Sequence, residues 1–280
     1  MNLKTYVITG ASSGIGKQMA LELASSGGRF ILTGRDRSKG EKALNEIKQK
    51  SRNPEIEMLY TDVSSQKAIQ NLAEEIQSRT DSIDVLINNA GSFFPRKKIS
   101  ADGLEMTFAV NHMAYYLLTD LLMDLVLKDK PGKIINTSSK AHFSAKPNLE
   151  DLNFETRSYN GWTAYANSKL YNLYFTYYIE ETYRDSGLRV NAFHPGVIAT
   201  DIVRNMFFPV PQLWKIFSKS VKDGAAGGIH LASSPEMEKI SGKFFDGTKE
   251  KKSSKASYDR NAWRRLMKIS EEFKRKKLPE

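Results

Sequence analysis

The chain has no cysteine in its 280 residues. That excludes disulfides, a thiolate metal site and a cysteine nucleophile, and it fits a reducing compartment. Histidine is scarce as well. His112, His142, His194 and His230 show no ligand spacing with one another or with carboxylates, so no metal site is expected. No run of 18 apolar residues occurs, which leaves the sequence without a spanning helix. Met1-Asn2-Leu3-Lys4 leads directly into the first apolar run, so no signal peptide is expected and the expected location is cytoplasmic. Internal repeats and low-complexity linkers are missing too, and nothing in the composition divides the chain.

What is present suits one large α/β domain. The hydrophobic fraction of 40% can fill a sizeable core. The net charge of +10 is uneven: residues 248–280 hold twelve Lys/Arg against five Asp/Glu. This basic C-terminal extension reads as solvated and partly helical, and it leaves a weak, peripheral membrane-surface contact open. Nucleic acid is not an expected partner, because the extension has neither a nucleic-acid fold nor regularly interleaved stacking aromatics.

Strand-like and helix-like stretches alternate through residues 1–247. Strands are expected near 4–9, 29–33, 56–60, 85–88, 133–137, 189–193 and 243–245, with helices near 15–26, 39–50, 66–78, 103–127, 163–184 and 222–232. The first strands are short apolar runs without strict alternation, as in a parallel sheet covered on both faces. The pattern predicts a Rossmann-like, doubly wound α/β fold: a seven-stranded, mostly parallel sheet in three α/β/α layers. Two stretches break the rhythm. One is the polar insertion 142–160. The other is 198–220, apolar and aromatic but interrupted by prolines, expected to be a lid over the substrate, with core packing of Phe207, Phe208 and Trp214 as the rival reading.

Behind the apolar run Tyr6-Val7-Ile8 comes Thr9-Gly10-Ala11-Ser12-Ser13-Gly14-Ile15-Gly16. A strand entering a glycine-rich turn that opens a helix reads as a dinucleotide cradle. Gly10 permits the tight turn, Gly14 lets backbone N–H groups approach a pyrophosphate, and Gly16 lets helix and strand pack closely. Glycine-rich turns also occur without a ligand, so the turn gains weight only if catalytic residues accompany it.

Tyr165-Ala166-Asn167-Ser168-Lys169 places a phenol and an ammonium four residues apart on one helix face. A nearby cation favours the phenolate and is expected to lower the Tyr165 pKa toward neutrality. Tyr165 can then act as general acid to a carbonyl or general base to an alcohol. Ser139, just past the strand at 133–137, can stabilise charge on the substrate oxygen. Taken alone, the pair could merely decorate a helix surface.

Together these motifs resemble the short-chain dehydrogenase/reductase family over roughly residues 4–245. The resemblance implies a cofactor turn formed by Gly10, Gly14 and Gly16, with Ser12, Ser13 and Ile15 between the glycines. It puts Asp62 and Val63 at the adenine. Asn88-Asn89-Ala90-Gly91 corresponds to the sheet-stabilising and ribose-side motif, and Asn111, Ser139, Tyr165 and Lys169 to the catalytic tetrad. Lys169 would also bond the nicotinamide ribose, and Asn111 would hold a water in a relay to Lys169. Pro195, Gly196, Val197 and Thr200 match the segment that holds the carboxamide. Ser139 is preferred over Ser138, since the family generally uses the second serine of such a pair.

After the second strand comes Gly34-Arg35-Asp36-Arg37. Members that use NAD typically have an acid at the Gly34 position, and here Arg35 follows instead, a planar cation suited to a 2′-phosphate. Asp36 stands one position too late to serve. NADP(H) is the expected cofactor. The run Asn111-His112-Met113-Ala114-Tyr115, the 26-residue step from Ser139 to Tyr165, His194-Pro195-Gly196 and Ser241-Gly242-Lys243-Phe244-Phe245 resemble a retinol-dehydrogenase-like subgroup. The leading expectation is an NADP(H)-dependent oxidoreductase that interconverts a carbonyl and an alcohol on a bulky lipophilic substrate. Reduction of an activated carbon–carbon double bond and a non-catalytic NADP(H) sensor stay open. Phe93, Phe94, Phe143 and Trp162 are candidates for the substrate wall. The aromatic run Tyr171, Tyr174, Phe175, Tyr177 and Tyr178 reads as core packing or as a homo-oligomer face.

Overall fold

The computed structural model describes residues 3–128, 131–196 and 220–275. The strands are β1 (Thr5–Ile8), β2 (Arg29–Gly34), β3 (Ile56–Tyr60), β4 (Val85–Asn88), β5 (Lys133–Thr137), β6 (Arg189–His194), β7 (Lys243–Asp246) and β8 (Lys249–Lys251). They form one sheet in the order β3-β2-β1-β4-β5-β6-β7-β8. All neighbours are parallel except β7 and β8. β8 is the one strand beyond the seven expected. Its residues Lys249, Glu250 and Lys251 are all exposed, so no apolar residue signals it.

Alternation along each strand feeds two cores. Val7, Ile31, Leu86 and Ile134 face one side of the sheet, and Ile8, Leu32, Ile87 and Ile135 face the other. The second face packs against α1 (Gly14–Ala24), α2 (Arg37–Ser51) and α6 (Val221–Ser233). The first packs against α3 (Gln66–Gln77), the long helix α4 and α5 (Gly161–Thr182). This is the three-layer, doubly wound fold expected.

Helix α4 runs in three pieces: Met106–Phe108, a π-helical turn over Ala109–Met113, and Ala114–Leu127. It starts three residues later than the pattern suggests. Buried Glu105 fixes the start, its carboxylate accepting from the Thr107 and Phe108 N–H groups at 2.9 Å each.

The basic segment 248–280 contains α7 (Arg260–Arg275), whose Trp263, Leu266 and Met267 lie in the same core as α5. Its cations reach acids of the sheet-and-helix body: Arg260 and Arg264 pair with Glu181, Arg265 with Glu150, and Lys274 with Asp120. Tyr171, Tyr174, Phe175 and Tyr177 are buried within the chain against this helix and α4, so they are core residues. Among the described residues, no helix is long and apolar enough to cross a membrane. Residues 198–219 of the expected lid lie outside the described residues, as do Val197 and Thr200.

Candidate active site

The chain leaves β1 toward β2 on one side and returns to β4 on the other, so a crevice opens at the carboxyl ends of β1 and β4. The glycine turn lines it. Gly10 and Gly14 have φ of 69° and 55°, which L side chains rarely adopt. A Cβ on Gly10 would stand 2.8 Å from the Ala90 Cα, and one on Gly16 would run into the Gly10 carbonyl and the Asn89 amide. Asn89 ties this turn to β4 by donating to the Thr9 carbonyl at 2.9 Å. The Thr9 hydroxyl accepts from the Asn89 and Ala90 N–H groups. Ser13 begins α1 without a side-chain cap, whereas Asp36, Ser65, Asn160 and Ser220 cap α2, α3, α5 and α6. The first-turn N–H groups of α1 are therefore left for an anion.

At the end of β2, Gly34 lies against the turn: a Cβ there would stand 2.9 Å from the Ser12 Cβ. Arg35 follows, exposed. Asp36 accepts from the Lys39 N–H as the cap of α2, so its carboxylate is committed to that helix. Past β3, exposed Asp62 accepts from the Ser64 N–H, and Val63 is half-buried. Past β6, Pro195 and Gly196 continue the chain, with Gly196 at φ 95°.

Ser139, Tyr165, Lys169 and Asn111 come together from three elements. Ser139 follows β5, half-buried; its hydroxyl accepts from the Ala141 N–H at 3.2 Å and lies near enough to Tyr165 to lower the pKa of the phenol. Ser138 is buried, and its hydroxyl donates to the Lys169 carbonyl at 2.8 Å, so it secures α5. The Lys169 Nζ lies 5.5 Å from the centre of the Tyr165 ring and donates to the Thr137 carbonyl at 3.2 Å. Asn111 sits in the π turn of α4 and brackets Ser92, accepting its N–H at 2.8 Å and donating to its carbonyl at 3.0 Å. A Cβ on Gly91 would stand 3.3 Å from the Asn111 Oδ1 and 3.5 Å from the Lys169 Nζ, so both groups face one point beside the crevice.

Burial governs the electrostatics. It drives the Lys169 pKa down to about 7. It pushes Tyr165 up to about 12, against the lowering effect of the nearby Ser139 hydroxyl. The expectation that Lys169 would pull the phenol toward neutrality is therefore reversed. In this arrangement Tyr165 is a protonated phenol at neutral pH, held as an acid.

Sequence reasoning passed over a buried amide network that registers α5 against the sheet. The Asn88 Nδ2 donates to Thr119 and to the Asn136 Oδ1 at 2.9 Å each, and Asn136 donates to Thr176 at 3.0 Å. Asn172 donates to the same Thr137 carbonyl that receives Lys169. An asparagine inside the otherwise apolar strand Ile134-Ile135-Asn136 was the available signal.

A sequence model of the short chain dehydrogenase family matches residues 4–208. Human retinol dehydrogenase 13 is 40% identical over 271 residues, spanning 94% of this chain and 82% of that protein. A crystal structure of an uncharacterized protein from Mycobacterium paratuberculosis superposes with a TM-score of 0.80 at 29% identity, covering 100% of this chain and 96% of that one. A short chain dehydrogenase from Shigella flexneri 2a, solved in complex with NADP, gives a TM-score of 0.68 at 25% identity over 89% of this chain and 98% of its own. The fold and the site define an oxidoreductase that works with a nicotinamide dinucleotide. The chain belongs to the short chain dehydrogenase family, and within it the chain is similar to retinol dehydrogenases.

Proposed function

We propose that the protein is an NADP(H)-dependent oxidoreductase that interconverts an aldehyde or ketone and the corresponding alcohol on a bulky lipophilic substrate. The observation that carries this reading is the gathering of Ser139, Tyr165 and buried Lys169 at the mouth of the glycine-lined crevice. The crevice fits the dinucleotide, since glycines at 10 and 16 let the turn lie close against Asn89 and Ala90 and α1 offers uncapped N–H groups.

When bound, NADPH supplies the hydride. Tyr165 gives its phenolic proton to the carbonyl oxygen, and Ser139 donates a hydrogen bond to that oxygen as charge builds on it. Lys169 would hold the ribose hydroxyls, and Asn111 stands beside it to hold the relay water. In the alcohol-oxidising direction Tyr165 takes the hydroxyl proton only after losing its own, so the buried phenol favours carbonyl reduction at neutral pH.

Three observations support NADP(H) over NAD(H). A carboxylate side chain at position 34 would have to displace Ser12, Asp36 is occupied as a cap, and Arg35 is free to meet a 2′-phosphate. The substrate class rests on aromatic rings around the acid. Phe93 meets Tyr165 edge-on at 5.9 Å, Trp162 lies 6.2 Å from it, and Phe143 and Trp162 remain 57% and 45% exposed. The relatives named retinol dehydrogenases point the same way. The test is consumption of NADPH and NADH with retinal, long-chain aldehydes and acetaldehyde. NADPH should be favoured by at least about tenfold, and retinal should exceed acetaldehyde in kcat/KM. Equal use of the two cofactors, or a preference for acetaldehyde, would contradict the reading.

A further inference from the structure

Two buried histidines outside the proposed catalytic set connect it to the C-terminal segment. His142 is the third residue after Ser139. Its Nδ1 lies 2.5 Å from the Ser139 carbonyl oxygen, and its Nε2 lies 3.0 Å from the Ser254 backbone nitrogen. A carbonyl only accepts and a backbone N–H only donates, so His142 must be neutral with its proton on Nδ1. Its ring stacks edge-on against Phe244 of β7, with 5.0 Å between centres.

His112 follows Asn111 in the π turn and is completely buried. Its Nε2 lies 2.9 Å from the Ser270 hydroxyl of α7. That hydroxyl donates to the Leu266 carbonyl at 2.8 Å, so it accepts from the imidazole, and His112 carries its proton on Nε2. The contact belongs to a seam. Residues 108, 112, 116 and 120 recur every four positions on one face of α4, and α7 meets each of them. Phe108 packs edge-on to Phe273 at 6.2 Å, the Tyr116 hydroxyl donates to Glu271 at 2.7 Å, and Lys274 donates to Asp120 at 2.7 Å.

We propose that the C-terminal segment 253–275 positions the catalytic side chains, with His142 fixing the turn of Ser139 and His112 fixing the π turn of Asn111. This rests on the catalytic reading of Ser139 and Asn111. Neither histidine touches reacting atoms; both are positioning residues. The Ser139 carbonyl is held twice by His142, through its backbone N–H at 3.1 Å and through its ring. Ring orientation, and with it the setting of the Ser139 hydroxyl, depends on the Ser254 N–H. A π turn holds one extra residue relative to an α-helix, and such turns are rare. Annealing it to α register would rotate Asn111 by about 100° around the helix axis, away from Ser92 and Lys169. The α7 seam clamps the turn on its far side.

The test combines histidine ¹⁵N spectra of the full chain with steady-state kinetics, using NADPH and retinal. At neutral pH the spectra should show two neutral rings of opposite tautomer, Nδ1–H for His142 and Nε2–H for His112. His142→Phe and Ser270→Ala should each lower kcat on the order of 10- to 100-fold while leaving NADPH affinity unchanged. His142→Asn, which keeps a donor near the Ser139 carbonyl, should recover part of the loss. An Nε2–H tautomer at His142 would overturn the inference even where a variant fails to fold. So would wild-type kcat in both His142→Phe and Ser270→Ala while Ser139→Ala and Asn111→Ala are dead. Wild-type turnover in Ser139→Ala would instead bring down the catalytic reading, and this inference with it.

Discussion

Burying the Lys169 ammonium moves its pKa from an ordinary 10.5 to about 7, and folding bears that cost. The folded protein holds fewer protons at this site than the unfolded chain between about pH 7 and 10.5. The penalty is thus absent above about 10.5, grows as pH falls, and is complete below about 7. Lys169→Met should therefore stabilise the cofactor-free protein by about 3–5 kcal/mol near pH 6. Its advantage should shrink steadily as pH rises toward 10, as read by urea denaturation at a series of pH values. A constant difference across that range would show that the ammonium is not desolvated. The grouping of Tyr165, Lys169, Ser139 and Asn111 was legible in the sequence, because they stand at motif spacing and the fold brings them together. The sign of the Tyr165 shift was not legible. It depends on how much water the packed site excludes, and spacing along a helix says nothing of that.

At the scale of elements, strands and helices with one continuous apolar face were readable, and α7 was not. Its apolar residues Trp263, Leu266 and Met267 do recur at helical spacing, but twelve Lys/Arg in 248–280 dominate the composition and make the segment look solvated. The π turn left no trace in the pattern either, since one extra residue within a helix that stays apolar throughout does not change its periodicity visibly. Because Trp263 is buried and its indole N–H donates to the Ser257 carbonyl at 2.7 Å, Trp263→Ala should cost about 3–5 kcal/mol of folding stability. A loss under about 0.5 kcal/mol in urea denaturation would place α7 outside the cooperative core. The β2–α2 junction makes a second prediction. Arg35→Ala should weaken NADPH binding at least about tenfold and leave NADH almost unchanged, since a hydrogen bond to a charged group is worth roughly 1.5–3 kcal/mol. Equal losses for both cofactors, measured by fluorescence titration, would show that Arg35 serves something other than the 2′-phosphate.

For the molecule as a whole, the sheet order places the glycine turn, the β5 end and the α5 face at one crevice, and α7 closes the opposite side of α4 and α5. The proposed chemistry then needs one proton donor, and Tyr165, beside Ser139 and buried Lys169, is the phenol placed to supply it. The most direct measurement is single-substrate turnover by wild type and Tyr165→Phe, following NADPH loss and alcohol formation together with retinal as the carbonyl. One alcohol should form for each NADPH consumed, and Tyr165→Phe should bind NADPH normally while turning over on the order of 10²–10⁴ times more slowly. Tight NADPH binding by the wild type with no alcohol formed from any aldehyde, or a Tyr165→Phe variant that keeps more than about a tenth of the wild-type rate, would contradict the account.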